Sequence, residues 1–275
     1  MNKLDAYKMD GLGNDFIIFD GRKKSISLTK EQIVKISNRS NIGCDQVIFI
    51  NEDKNNNIFL EFYNSDGSEI SACGNGSRCV AYLLMNEKKN KKIILKTKAG
   101  NLKAEMDNEN LVSLNMGQPN FDWEKIPLSK EMDNKNLKIK ITNLDGKDTF
   151  GGFTLSLGNP HIVFFVEDLK KFDIKEIGPK MENHFYFPEK CNVTLASIKN
   201  KKHLVVNVWE RGAGLTKACG TAACATAVAG AILNLSERCV DIEFSQGLLN
   251  INWKKDNNIY MKGGVSEIEK IKVNI

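Results

Sequence analysis

The chain repeats itself. Residues 59–74 read Phe-Leu-Glu-Phe-Tyr-Asn-Ser-Asp-Gly-Ser-Glu-Ile-Ser-Ala-Cys-Gly, and residues 205–220 read Val-Val-Asn-Val-Trp-Glu-Arg-Gly-Ala-Gly-Leu-Thr-Lys-Ala-Cys-Gly. They align without a gap at an offset of 219 − 73 = 146. In both, an apolar run ends in an aromatic residue (Tyr63, Trp209) and a polar pair follows (Asn64–Ser65, Glu210–Arg211). A glycine-bearing loop then leads into Ala-Cys-Gly. Leu12-Gly13-Asn14 returns as Leu157-Gly158-Asn159 at an offset of 145. Ala-Cys-Gly alone is a weak tripeptide. Two echoes at nearly one offset, in a 275-residue chain about twice that long, point to a duplication. We therefore expect two pseudo-symmetric halves, residues 1–125 carrying Cys73 and 126–275 carrying Cys219, with the active site in the cleft between them.

Periodicity gives each half the same materials. Short β-branched and aromatic runs recur at 16–19, 47–50, 58–63, 93–97, 111–116, 162–166, 193–198, 204–209 and 240–244, bounded by Gly, Asn, Asp and Lys. They read as strands joined by turns. Thr29 and Gln32 form a capping box before Ile33 and Ile36. Residues 79–85 and the alanine-rich stretch 222–233 read as buried helices. The polar stretch 120–136, with Pro127, reads as a linker. The fold class is α+β.

Composition excludes several functions. Lys+Arg 39 against Asp+Glu 34 leaves +5, and the basic residues are scattered, which argues against nucleic-acid binding. The N-terminus carries charges where a signal peptide is apolar, and the longest uncharged apolar run, 218–233, is shorter than the roughly 20 residues of a membrane span. Seven cysteines, an odd count with no Cys-x-x-Cys pair and no nearby histidine spacing, fit neither a disulfide framework nor a zinc site. The expectation is a cytoplasmic protein with reduced thiols, no bound metal and no membrane partner.

Cys73 and Cys219 each stand just before a proposed helix. Free N–H groups at a helix N-terminus lower a thiol pKa, and the following glycine lets an anion approach the backbone. If the two faced one carbon from opposite sides, one thiolate could remove a proton and one thiol deliver another, inverting a stereocentre without metal or pyridoxal phosphate. Cys79, Cys224 and Cys239 read as small buried hydrophobes, and Cys44 and Cys191 as structural.

These residues closely resemble the diaminopimelate epimerase family. The matching blocks are Gly11-Leu-Gly-Asn-Asp-Phe16, Gly43-Cys-Asp-Gln46, Tyr63-Asn-Ser-Asp-Gly67, Ala72-Cys-Gly-Asn-Gly-Ser-Arg-Cys79, Gly158-Asn-Pro-His161, Glu210-Arg-Gly-Ala-Gly214 and Ala218-Cys-Gly-Thr221. The resemblance implies two halves, each a mixed β-sheet or barrel around a central helix. It implies cofactor-independent interconversion of LL- and meso-2,6-diaminopimelate, in the route to lysine and peptidoglycan, and it hints at a homodimer. Carried over by motif, Cys73 and Cys219 would be the acid/base pair, supported by His161 and Glu210. Gly74, Asn75, Gly220 and Thr221 would hold the reacting carboxylate. Asn14, Gln46, Asn64, Asn159, Asn192, Glu210 and Arg211 would line the substrate pocket. The chemistry agrees: a substrate with two zwitterionic ends needs a cation and an anion at its non-reacting end, and Arg211 and Glu210 supply them. Asp10, Leu215, Lys217 and Ala222 depart from common family choices. Two other readings stay open at this level. One is a proline or hydroxyproline type of racemase or epimerase on the same scaffold. The other is a redox sensor that closes a Cys73–Cys219 disulfide.

Overall fold

A computed structural model describes residues 3–55, 57–108 and 110–275. Met1 and Asn2, part of the N-terminus read above, lie outside the described set, as do Asn56 and Glu109. The chain forms two units, Met1–Asn115 with Lys262–Ile275, and Met116–Met261. The division falls ten residues before the expected 125/126, and the chain end returns to the first unit because its last strand pairs there.

In unit 1, β1 (Lys3–Gly11) turns into β2 (Asn14–Asp20). The two-residue turn holds Leu12 and Gly13 at φ 59 and 73, the left-handed pair that matches hairpin twist. Asp10 Oδ1 accepts from the Gly13 N–H. Helix α1 (Lys30–Ser37) then carries the chain to β3 (Gln46–Glu52), parallel to β2. Its start is the Thr29–Gln32 capping box expected from sequence. β4 (Ile58–Asn64) returns antiparallel to β3 and is followed by β5 (Glu69–Ile70). Helix α2 (Gly74–Lys88) crosses to β6 (Lys92–Thr97), parallel to β4. β7 (Gly100–Asn108) and β8 (Leu111–Asn115) extend the sheet antiparallel.

Unit 2 uses the same order after a two-stranded ribbon of β9 (Ile139–Thr142) and β10 (Asp148–Gly151). β11 (Phe153–Ser156) pairs antiparallel with β12 (Pro160–Phe165). Helix α3 (Ile174–Glu182) leads to β13 (Asn192–Asn200), parallel to β12, and β14 (His203–Glu210) returns antiparallel. After β15 (Gly214–Thr216), helix α4 (Gly220–Ile232) crosses to β16 (Cys239–Phe244), parallel to β14, and β17 (Gly247–Trp253) follows. β18 (Ile259–Gly264) leads to β19 (Glu269–Asn274), which pairs with β1. Strand pairings therefore repeat as the sequence does: Phe16 faces Gln46 where His161 faces Asn192.

The central strands bury both faces, which is why their sequences are continuously apolar. Ile17, Phe19, Val47 and Phe49 pack on Ile33 and Ile36 of α1. The alternate residues face α2: a Cβ on Gly76 would lie 2.7 Å from Ile48 Cδ1, with Phe16 and Phe62 next. Every residue of α2 from Asn75 to Met85 is buried, as is every residue of α4 from Ala222 to Gly230. In α4 these positions are mostly alanine, and small side chains there let the surrounding strands approach closely. In unit 2, Ile162, Phe164, Val193 and Leu195 pack with Ile174, Ile177 and Met181 of α3. Ile126 and Leu128 join the same cluster, so the stretch 120–136 read as a linker contributes to a core. Cys239, expected inside, is exposed because it takes an outward position at the head of β16.

Candidate active site

In unit 1, Cys73 is the N-cap of α2, with extended backbone (φ −138, ψ 117). Its Sγ accepts from the Gly76 N–H at 3.5 Å and from Asn14 Nδ2 at 3.9 Å. Asn14 opens β2, Gln46 opens β3 and Asn64 closes β4, so the pairing of these neighbouring strands gathers three amides at one sheet end. Gln46 Nε2 donates to Asn64 Oδ1 at 3.1 Å, and Asn64 Nδ2 donates to Ser68 Oγ at 3.2 Å. Gln46 Oε1 and Asn75 Oδ1 are buried acceptors that find no donor among the described residues. Buried acceptors without donors are suited to a cationic group such as an ammonium, because leaving them bare is costly.

Unit 2 repeats the construction with different chemistry. Cys219 caps α4 with nearly the same backbone (φ −133, ψ 115), but its sulfur makes no cap hydrogen bond and the residue is 6% exposed. Sγ lies 3.5 Å from Thr221 Oγ1, and Thr221 receives Asn159 Nδ2 at 3.4 Å. Asn159 Oδ1 in turn lies 3.0 Å from His161 Nε2, which completes a polar chain from imidazole to sulfur. The amide oxygen can only accept, so Nε2 carries the proton. Nδ1 is then a bare lone pair, and it has no partner among the described residues. Burial holds the His161 pKa down to about 3, with the Arg211 charge adding to the effect. The ring is neutral in the working pH range.

Glu210, at the end of β14, occupies the position of Asn64 in unit 1. Its carboxylate lies against Cys219, and burial pushes its pKa up. Burial first, and then this carboxylate, push the Cys219 thiol well above its ordinary value. This corrects the expectation that helix N–H groups bring both thiols toward neutrality: at Cys219 desolvation wins. Asn192, at the head of β13, donates through Nδ2 to the Pro160 carbonyl and accepts the Arg211 N–H on Oδ1 at 3.0 Å. Arg211 is exposed, with Nη1 on the Glu189 carbonyl at 3.0 Å.

Unit 1 thus brings together Asn14, Gln46, Asn64, Cys73, Gly74 and Asn75. Unit 2 brings together Asn159, His161, Asn192, Glu210, Arg211, Cys219, Gly220 and Thr221. Sequence reasoning missed Glu182, a carboxylate 6% exposed that accepts from Trp209 Nε1 at 2.7 Å and from the Gly212 N–H at 3.0 Å. It sits in no motif, and only its place at the end of a helix that packs on β14 reveals it. Among the described residues no group of His, Cys, Asp and Glu could hold a metal ion, and no helix is long and apolar enough to cross a membrane.

Known proteins match the chain over nearly its whole length. The diaminopimelate epimerase profile matches residues 6–122 and 153–268, two stretches that start 147 positions apart, close to the offset of the repeat. A diaminopimelate epimerase of Pelagibacter ubique is 54% identical over 272 residues, 99% of each chain. One from Caulobacter sp. (strain K31) is 40% identical, over 94% of this chain and 93% of its own. A PhzF-family phenazine biosynthesis protein of Bacillus anthracis shares the fold over the whole of both chains, with a TM-score of 0.69 at 16% identity. On the profile match and these relatives, the chain belongs to the diaminopimelate epimerase family.

Proposed function

We propose that this chain interconverts LL- and meso-2,6-diaminopimelate, in lysine biosynthesis, by proton removal and delivery at one α-carbon with Cys73 and Cys219 as the two acid/base groups. The observation that carries the proposal is the pair of cysteines at matched helix N-caps, each followed by glycine. Cys219 keeps its proton at neutral pH and serves as the acid. Cys73 takes the α-proton as a thiolate. The carbanion then takes the Cys219 proton on its other face, leaving a thiol at Cys73 and a thiolate at Cys219, the arrangement that runs the reverse reaction. Before another forward cycle, the two sulfurs must exchange protons with solvent.

An α-proton is too weakly acidic for a thiolate unaided, so the carboxylate bearing the developing charge needs fixed donors. The backbone N–H groups of Gly74, Asn75, Gly220 and Thr221 are at helix starts, where donors are free and the helix dipole favours negative charge. Gln46 Oε1 and Asn75 Oδ1 offer acceptors to an ammonium group. Arg211, exposed and planar, suits the distal carboxylate. Asn14, Asn64, Asn159 and Asn192 orient these groups, and neutral His161 supports the Thr221–Cys219 end through Asn159. Glu210 keeps the proton on Cys219.

The test is incubation of the reduced protein with LL-diaminopimelate in deuterated water, with no added cofactor. Formation of the meso isomer with deuterium at the inverted carbon is expected. Exchange on proline or hydroxyproline with none on diaminopimelate would move the substrate to the alternative reading. Absence of turnover by reduced protein on all three, with partner binding only after oxidation, would favour the sensor.

A further inference from the structure

We propose that Glu182 is a positioning residue that holds Glu210 and Arg211 in their working orientation. The proposal rests on the diaminopimelate reading above. Glu210 and Arg211 are consecutive, so where their side chains point depends on the backbone from Trp209 to Gly212. One carboxylate ties both ends of that segment. Glu182 Oε2 accepts the Trp209 indole N–H at 2.7 Å, and Oε1 accepts the Gly212 N–H at 3.0 Å. Gly212 is in the left-handed region at φ 74, a turn that few side chains tolerate and that needs an anchor to stay single-valued.

The rest of α3 supports the same grip. A Cβ on Gly178 would lie 2.4 Å from Trp209 Cγ, so the helix backbone rests directly on the indole ring. Lys190 Nζ is 3.8 Å from Glu182 Oε1 and offsets part of its charge. A buried carboxylate is tolerated only when its oxygens are met by donors, and here two N–H groups and an ammonium meet it. Both oxygens must accept, which distinguishes this position from a generic polar contact. A glutamine of the same size has one accepting oxygen and would turn an amide donor toward the other N–H. Glu182→Gln therefore cuts one tie and leaves the volume unchanged.

The experiment compares the full-length enzyme with Glu182→Gln, Arg211→Lys and the double variant. For Glu182→Gln we expect kcat/KM for diaminopimelate to fall about tenfold or more, with KM rising, while Tm stays within a few degrees. On the Arg211→Lys background the same change should cost little, because residues that act through one another are not additive. Backbone hydrogen exchange at Arg211 and Gly212 should speed up in Glu182→Gln. Full additivity of the two losses, or unchanged exchange at both amides, would overturn the proposal. If Glu182→Gln does not fold, Trp209→Phe, which keeps a ring and removes the indole donor, should show the same directions with smaller size, and unchanged kinetics and exchange there would overturn it equally. If the wild-type enzyme does not turn over diaminopimelate, the functional reading falls, and the exchange measurement alone decides whether Glu182 holds the loop.

Discussion

At the end of β4 the chain places Asn64; at the end of β14, 146 residues later, it places Glu210. The two positions follow equivalent strands and precede equivalent helices, each capped by a cysteine with almost the same φ and ψ. The sulfur environments differ all the same. Cys73 is partly exposed and accepts from a backbone N–H and an amide. Cys219 is buried against a carboxylate and a threonine hydroxyl. Phe16, a core residue in unit 1, corresponds to His161 in unit 2. A duplicated backbone supplies two equivalent sulfurs, and side-chain divergence around them makes one a better proton holder. A two-base reaction needs one sulfur ionised and the other protonated, and this difference decides which sulfur holds the proton.

The largest break in the comparison is to remove either sulfur. Cys73→Ser and Cys219→Ser should each lower turnover at least ~10³-fold, because a serine hydroxyl is a far weaker acid and one face of the carbon loses its partner. Circular dichroism should be unchanged, and deuterium uptake from solvent should fall with turnover. Near-normal rates in either variant would remove the assignment.

Glu210→Gln sharpens the comparison by making unit 2 resemble unit 1. Without the carboxylate the Cys219 thiol should ionise at lower pH, since Glu210 is second only to burial in raising it. Peptide-resolved alkylation of Cys219 against pH should show its midpoint moving down, and kcat/KM should fall about 10²-fold as the proton is held less well. An unmoved midpoint would mean that burial alone sets the thiol.

His161→Phe restores the unit 1 residue and tests stability. Below pH 6.5 the unfolded chain takes a proton on His161 that the folded chain refuses until about pH 3, so the folded state loses stability as pH falls through that window. Between pH 6.5 and 5 this costs about 2 kcal/mol. Denaturant unfolding of His161→Phe over the same range should show a correspondingly flatter decline. Equal slopes in both proteins would show that the imidazole is protonated in the folded state.

The repeat and the strand runs were legible because β-branched and aromatic runs bounded by turn residues, and the spacing between motifs, leave marks in the sequence. Each of the nine runs became a strand, and the Thr29 cap starts α1. Helix α3 was not legible, since Gly178 and Pro179 interrupt its pattern, and the glycine is there for Trp209 rather than for the helix. The cysteine pair was legible by its repetition. The Cys219 pKa was not: the sequence shows a helix start, whose N–H groups favour a thiolate, while the desolvation that wins depends on tertiary burial. Glu182 was hidden for the same reason, because its partners lie 27 and 30 residues away.

The smallest effect concerns a helix position at which the two halves differ. Ala222 of α4 corresponds to Gly76 of α2. At Gly76 a Cβ would meet Ile48 Cδ1 at 2.7 Å, then Phe16 and Phe62. The corresponding residues in unit 2 are Thr194, His161 and Val208, and Thr194 faces Val208 as Ile48 faces Phe62. Thr194 and Val208 are both smaller than their counterparts, so a methyl group is accommodated on α4 where α2 has no space for one. Gly76→Ala should destabilise unit 1 toward the lower end of about 1–3 kcal/mol, because the nearest atom is the movable end of an isoleucine and alanine favours the helix. Ile48→Val removes that atom and alone should cost about 0.5–1.5 kcal/mol. Combined, the two should cost clearly less than their sum, since each substitution makes room for the other. A strictly additive pair, measured by urea unfolding, would show that the aromatic rings of Phe16 and Phe62, and not Ile48, keep this position a glycine.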